Sequence, residues 1–330
     1  MVTGASGNVG TSVVRELAAD PSVGSITGIA RRRPTWSCDK LTWRTADVAH
    51  DDLDPVFAGA DVVIHLAWMI QPAREPVTTW QTNVLGSIRV FDAVARAGVP
   101  SLVYASSVGA YSPGPKDRTV TEDWPTHGWP GASYTREKSY VERVLDAYEQ
   151  AHPDVRVVRM RPAFLFKRES ASEQRRLFAG PLVRGGLVRF VPVVPDLPGL
   201  RLQALHTDDA ARAYRLAALG DIRGPVNLAA APVLDAHLLA DLLGARVVKL
   251  PAWAVRGPLA AAWWLHATPA APGLFDAALR LPLLDTTRAR TELGWHPEHD
   301  AADAVAELLG GLRDGAGMAT PPLTPDRSPA

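Results

Sequence analysis

The chain has 330 residues with 35 basic and 35 acidic side chains, a formal net charge of zero, which gives no electrostatic reason to expect a nucleic acid or an anionic membrane as partner. Its one cysteine, Cys38, cannot form an internal disulfide, and no Cys/His cluster has zinc spacing, so no metal is expected and a reducing cytoplasm fits. The longest apolar stretch, Pro258 to Ala267, is too short to span a bilayer, and no basic segment leads into an apolar one at the start.

In chain order, Met1, Val2 and Thr3 precede a glycine turn, Gly4-Ala5-Ser6-Gly7-Asn8-Val9-Gly10. A central strand ahead of such a turn usually runs about five or six residues, so the native start is expected upstream. Gly4 would permit the tight turn, Gly7 would let the backbone approach a pyrophosphate, and Gly10 would allow close helix packing. The following helix, from Asn8 to Ala19 with Val9, Val13 and Leu17 on one face, would aim its N-terminus at the phosphates. A glycine-rich loop can also be a loop and nothing more; its place between strand and helix argues for the phosphate site.

Ser25 to Ala30 and Leu41 to Thr45 read as strands, as do Asp61 to Ala67 and Ser101 to Ser106, whose near-continuous apolar runs suit strands covered on both faces. Helices are predicted over Thr79 to Ala97, ended by Gly98 and Pro100, and over Ser133 to Ala151, ahead of a strand from Val155 to Arg161. This alternation is the pattern of a parallel, doubly wound α/β sheet. After Arg161 the regularity fails. Helices over Thr207 to Leu219 and Asp235 to Leu243 then stand among short strands in a smaller, second region.

Three features point to chemistry. Ala30 is followed by Arg31, Arg32 and Arg33 where a ribose-binding carboxylate would stand, so guanidinium groups there favour the 2′-phosphate of NADP(H), with NAD(H) the alternative cofactor. A solvated arginine loop is the competing reading. Tyr134 and Lys138 lie four residues apart on a helix face, in a chain with only five lysines among its 35 basic residues, and an ammonium close to the phenol would lower its pKa towards neutrality. The third, Ser107, four residues before Tyr111, draws its weight from the family resemblance described next.

These residues resemble the extended short-chain dehydrogenases/reductases, the NAD-dependent epimerase/dehydratase type. The resemblance runs to about His299 and rests on the glycine motif, Asp47-Val48, His65-Leu66-Ala67, Asn83-Val84-x-Gly86, Tyr104-Ala105-Ser106-Ser107, Tyr134-x-x-x-Lys138, Arg161-Pro162, His206-x-Asp208-Asp209 and Leu293-Gly294-Trp295-x-Pro297. It implies a Rossmann-type doubly wound parallel sheet over 1–164, with 204–228 returning to it. A smaller mixed α/β substrate region would span 165–203 and 229–313, while 314–330, rich in Pro, Thr and Ser, reads from composition as a disordered tail. It further implies that Asp47 and Val48 meet the adenine, that Leu66, Ala67 and Pro162 line the cofactor channel, and that Ser6, Asn8 and Val9 join the glycines at the phosphates. Ser107 would bind the substrate oxygen, Tyr134 would move the proton, Lys138 would hold the nicotinamide ribose, and Asn83 would support the active-site helix. By analogy two long helices would pair subunits into a homodimer.

Departures from the family pattern bear on the substrate. Val108 and Gly109 follow Ser107 where dehydratases carry an Asp-Glu pair, Phe164 stands where nucleotide-sugar enzymes place an asparagine, Lys167-Arg168 replaces Gly-Pro, and Leu202 replaces a diphosphate-binding arginine. Trp68, Trp129, Phe164, Phe166 and Phe178 would line an apolar pocket, whereas Trp263 and Trp264 read better as core or oligomer contacts. His206 is expected to hold a turn, Asp208 to cap the next helix, and Arg175 and Arg176 to form a solvated helix face. The leading reading is an NADP(H)-preferring oxidoreductase acting on a small, largely apolar carbonyl or alcohol. The alternatives are a sugar or sugar-nucleotide epimerase and a non-catalytic NADP(H)-sensing protein.

Overall fold

A computed structural model describes residues 1–180 and 183–326. The strands are β1 (Val2–Thr3), β2 (Ile26–Ala30), β3 (Leu41–Thr45), β4 (Val63–His65), β5 (Ser101–Ala105), β6 (Thr119–Val120), β7 (Arg156–Pro162), β8 (Phe164–Phe166), β9 (Val193–Asp196), β10 (Ala204–His206), β11 (Gly224–Leu228), β12 (Arg246–Lys249) and β13 (Leu283–Leu284). Seven of them form one sheet in the order β11-β7-β5-β4-β1-β2-β3. All its pairings are parallel, with Thr3 in register with Ile29 on one side and His65 on the other. The order in which successive strands are added reverses between β1 and β4, and the crevice beyond their carboxyl ends is where such sheets bind ligands.

Helices cover both faces. One face holds α1 (Asn8–Ala19); the chain then passes through the short α2 (Asp54–Phe57), α3 (Pro76–Trp80), α4 (Gly86–Arg96) and α5 (Ser133–Ala151). Val2, Val13, Val14, Val103, Tyr214 and Trp295 fall in one core cluster, and Ile29, Val63, Phe91, Leu102, Val141 and Leu145 in a second. Each fully buried aliphatic side chain contributes ~1.5–3 kcal/mol, so two such layers hold the sheet rigid beneath the crevice. The apolar runs around β4 and β5 are strands because both of their faces are covered.

The second region contains α6 (Ala171–Gln174), α7 (Thr207–Leu219), α8 (Ala236–Leu243), α9 (Ala252–Trp264), α10 (Pro272–Ala278), α11 (Thr287–Thr291) and α12 (Ala301–Asp314). Helix α7 lies against α1, and β11 extends the main sheet, so the chain returns to the first region after leaving it. Among the described residues no helix is long and apolar enough to cross a membrane.

Two expectations need correction. The helix predicted over Thr79 to Ala97 begins at Pro76, whose missing N–H suits a first helical turn, and is interrupted by a π-helical turn over Gln81–Leu85. The tail predicted to be disordered is folded through residue 326: Met318, Thr320 and Leu323 are buried, Ala319 O accepts from Trp36 N, and Asp326 takes paired hydrogen bonds from Arg175. Composition suggested disorder, but three anchors and an ion pair hold the segment on the fold; residues 327–330 lie outside those described.

Candidate active site

The glycine turn has the shape its sequence implies. Gly4 adopts φ +68°, and a Cβ there would stand 2.7 Å from Ala67 N; a Cβ on Gly10 would stand 2.2 Å from Gly4 O and 2.6 Å from Ala5 Cα. Gly7 caps α1 without any side-chain hydrogen bond, and a Cβ there would meet only Gly4 O, at 3.5 Å. The first N–H groups of α1 are thus uncapped beside a floor with no side chain, an arrangement that fits a pyrophosphate. Asn8 turns its amide inward, with Nδ2 donating to Leu165 O and Oδ1 accepting from Thr207. Ser6 is buried in the turn, and Val9 is half-buried on the first turn of α1.

Around this turn lie the other expected cofactor residues. Leu66 and Ala67 follow β4, and Leu66 N donates to Thr3 O at 3.1 Å. Asp47 accepts from Ala49 N at 2.9 Å while Val48 is buried against Gly86, whose Cβ would come within 3.1 Å of it. Pro162 ends β7 in register with Leu228. Arg31 and Arg32 are exposed just beyond β2.

Tyr134 and Ser107 meet across Gly109. Ser107 Oγ accepts from Gly109 N at 3.0 Å, and a Cβ on Gly109 would lie 2.7 Å from the Tyr134 ring. Burial pushes the Tyr134 phenol above the ordinary tyrosine value, and a hydrogen bond with Ser107 draws it partly back. Lys138 does not lower it as expected from the helical spacing. Its Nζ donates to Ala105 O at 2.6 Å and lies 3.4 Å from the centre of the Trp68 ring, but 6.0 Å from that of Tyr134. The backbone spacing was right, but side-chain direction follows the best local acceptor and aromatic face. Burial also pushes the Lys138 ammonium well below the usual lysine range, against the raising effect of Glu142 and Glu137.

Two buried networks hold this pair from behind. Asn83, in the π-helical turn, accepts from Met69 N at 2.7 Å and donates to Met69 O at 2.8 Å and to Glu137 Oε2 at 2.6 Å. It joins the loop after β4 to the residue preceding Lys138. Ser106 donates to Glu142 at 2.5 Å, and Arg161 approaches Glu142 with Nε and Nη2, each at 2.9 Å. Sequence reasoning did not single out Glu137 or Glu142, and read Lys167 only as a departure from the family pattern. Lys167 could have been marked out by the rarity that drew attention to Lys138, since lysine is scarce throughout.

The aromatic residues divide. Trp68 packs edge-on to Tyr134 at 6.0 Å, with its indole Nε1 buried and unpartnered among the described residues. Phe164 runs parallel to Phe166 at 6.5 Å and packs on the cluster containing Val108, Tyr111 and Ala163. Arg280 lies 4.3 Å from the Trp129 ring and Arg74 3.6 Å from that of Trp263, while Phe178 and Trp264 are exposed, so these side chains do not form one continuous pocket wall. Trp264 at 78% exposure is no core residue. His206 holds its turn by accepting from Asp208 N at 3.2 Å and meeting Glu307 at 3.1 Å. It caps α7 itself, whereas Asp208 accepts from Ser12. Arg175 and Arg176 are not a solvated face: both bind Asp326.

Comparisons with known proteins bear on the family and the fold. A family model described as the NAD dependent epimerase/dehydratase family matches residues 1–228. A UDP-glucose 4-epimerase of Mycolicibacterium smegmatis is 26% identical over 94% of this chain and 96% of its own length. An L-arabinose 1-dehydrogenase (NAD(P)(+)) of Haloferax volcanii is 35% identical over 32% of this chain and 39% of its own. Among solved structures, a dTDP-glucose 4,6-dehydratase from Streptomyces venezuelae with NAD bound superimposes with TM-score 0.72 at 21% identity, covering 95% of this chain and 96% of that one; at that identity the likeness concerns the fold.

Proposed function

The chain belongs to the NAD dependent epimerase/dehydratase family, and from that premise we propose that it oxidises and then re-reduces one secondary-alcohol carbon of a sugar or sugar nucleotide, as an epimerase. The observation that carries this reading is the half-buried Tyr134 beside the buried Ser107, with the buried Lys138 behind them beyond the carboxyl end of β5. A bound nicotinamide supplies or removes hydride at the carbon bearing the oxygen. Ser107 holds that oxygen, Tyr134 gives or takes its proton, and Lys138, freed from Trp68, binds the ribose hydroxyls and offsets the phenolate charge. Elimination of water is disfavoured, because the Tyr134 ring fills the space that a side chain on residue 109 would need.

Arg31 and Arg32, exposed where the adenosine ribose would end, support a preference for NADP(H) over NAD(H) through charge-assisted bonds to a 2′-phosphate. A second reading, net oxidoreduction of a less polar carbonyl or alcohol, is supported by Phe164, which presents a ring where nucleotide-sugar enzymes hold an amide donor. One experiment separates them. The protein is incubated with UDP-glucose or UDP-galactose and catalytic NAD or NADP, and sugars are resolved by NMR while nicotinamide absorbance is followed. Epimer formation without net absorbance change is expected. Absence of turnover on sugar nucleotides, together with stoichiometric NADPH consumption on simple carbonyls, would replace this reading with the second.

A further inference from the structure

The residue after β8, Lys167, is buried to 1% exposure directly behind the glycine turn. Its Nζ donates to Asn8 O at 2.8 Å, Thr11 Oγ1 at 2.7 Å and Ser12 Oγ at 2.9 Å, so all three protons are directed into the first turn and a half of α1. That end of a helix already carries positive partial charge from uncapped N–H groups. A buried cation beside that helix end adds to its positive charge, which an anion over the turn would offset. The residue occupies a position where the family pattern has no charge, so the cost of burying it has no explanation in the fold's general plan.

Building on the dinucleotide reading above, we propose that Lys167 is a phosphate-positioning residue, a buried ammonium that adds its charge to the α1 N-terminus and makes pyrophosphate binding depend on its protonation. Helix and ammonium then act on the same anion from one side, with the glycine floor between. The ionisable groups around Lys167 come from every element packed on it: Arg15 of α1, Glu169 after β8, Glu173 of α6 and Asp208 of α7. Burial lowers the Lys167 ammonium to about 8 against the raising effect of the three carboxylates. A bound anion must raise it again, so affinity is greatest where the ammonium is charged in both states and falls as pH climbs past the free-state value.

ADP isolates this half of the cofactor site from Lys138, and adenosine lacks the anion. Calorimetric titration of the full chain should show ADP affinity falling about tenfold between pH ~7.5 and ~9.5 while adenosine affinity stays flat. In Lys167→Met, ADP should bind about tenfold more weakly at the lower pH and lose that dependence, with adenosine unchanged. Glu173→Gln serves as a control, because burial raises that carboxyl to about 7; it should retain the wild-type slope. If the methionine variant does not fold, the wild-type pH series decides alone. Wild-type ADP affinity that is flat with pH, or equal affinity in Lys167→Met, would overturn the role of Lys167 and leave the cofactor reading standing. Failure of the wild type to bind ADP, NAD and NADP would instead overturn the cofactor reading itself.

Discussion

The Lys138 ammonium sits 3.4 Å from the centre of the Trp68 indole, against 6.0 Å from that of the Tyr134 ring. A desolvated cation–π contact of this kind is worth about 2 kcal/mol, and the Ala105 carbonyl takes one of the three ammonium protons. In the proposed reading, ribose hydroxyls approaching Lys138 from this side would displace the Trp68 ring. Saturating dinucleotide should therefore change tryptophan emission in the wild type, and Trp68→Phe should lose most of that change. An identical change in the variant would show that Trp68 keeps its place.

The Tyr134 phenol is hydrogen-bonded with Ser107, where the proposed reading needs its proton carrier. Tyr134→Phe removes the hydroxyl and leaves the ring against Gly109, so the fold and the cofactor cradle are undisturbed. General acid–base groups typically contribute about 10²–10⁴-fold. Turnover should fall by at least that range while the dissociation constant for NAD or NADP stays within about threefold of wild type, read by steady-state assay beside fluorescence titration. Retained turnover would place the proton transfer elsewhere.

Much of this site was legible before the fold was known, and the reasons it was not fully so are local. Gly4 and Gly10 could be read because a positive φ and a backbone contact leave no alternative residue. The strands could be read because apolar runs between turns mean burial on two faces. The π-helical turn that turns Asn83 inward has no comparable signature, since its hydrogen-bond shift is set by packing on Met69 and Glu137. The direction of Lys138 was hidden for the same reason: spacing places a side chain on a face and says nothing of which carbonyl it finds. The order of the C-terminal segment depends on Arg175 and Arg176 meeting Asp326, a pairing across about 150 residues that composition cannot show.

Gly10 offers a test of the cradle that does not depend on activity. A methyl group there would overlap Gly4 O and Ala5, both backbone atoms that cannot swing away. Overpacking of this kind costs about 1–3 kcal/mol. Gly10→Ala should lose that much in urea unfolding and bind dinucleotide at least tenfold more weakly, whereas Gly7→Ala, with only a 3.5 Å neighbour, should keep its stability and lose affinity alone. Equal stability loss in the two variants would contradict the division of labour between these glycines.

Arg31 and Arg32 are exposed, so removing them should cost no stability. Hydrogen bonds to charged groups are worth about 1.5–3 kcal/mol. The double variant Arg31→Ala with Arg32→Ala should therefore weaken NADP binding by about 10- to 100-fold and change NAD binding little, as measured by parallel titrations. If NAD and NADP weaken together, the arginines act on the pyrophosphate or the general field and not on a 2′-phosphate.

Glu142 shows how the site is held from beneath. Burial alone would raise its carboxyl, but the hydrogen bonds and charge of Arg161, then Arg159 and Ser106, hold it at about 2, below the ordinary 4.5. A carboxyl lowered in the folded state contributes stability that is fully present above the unfolded value and is lost as pH falls through the folded one. The contribution should therefore persist at neutral pH and disappear between 4.5 and about 2. Glu142→Gln keeps the shape of the side chain and leaves Arg161 buried beside an amide, with Tyr111 Oη and Glu122 O its remaining partners. Breaking a buried pair on one side costs about 3–5 kcal/mol, so the variant should unfold at distinctly lower urea at pH ~7 and show a shallower acid dependence below pH ~4.5 than the wild type. Because Ser106 adjoins Ser107 and donates to the same carboxylate, the loss should also reach turnover. A variant as stable as wild type at neutral pH would mean that the arginines, and not the carboxylate, anchor the floor of the site.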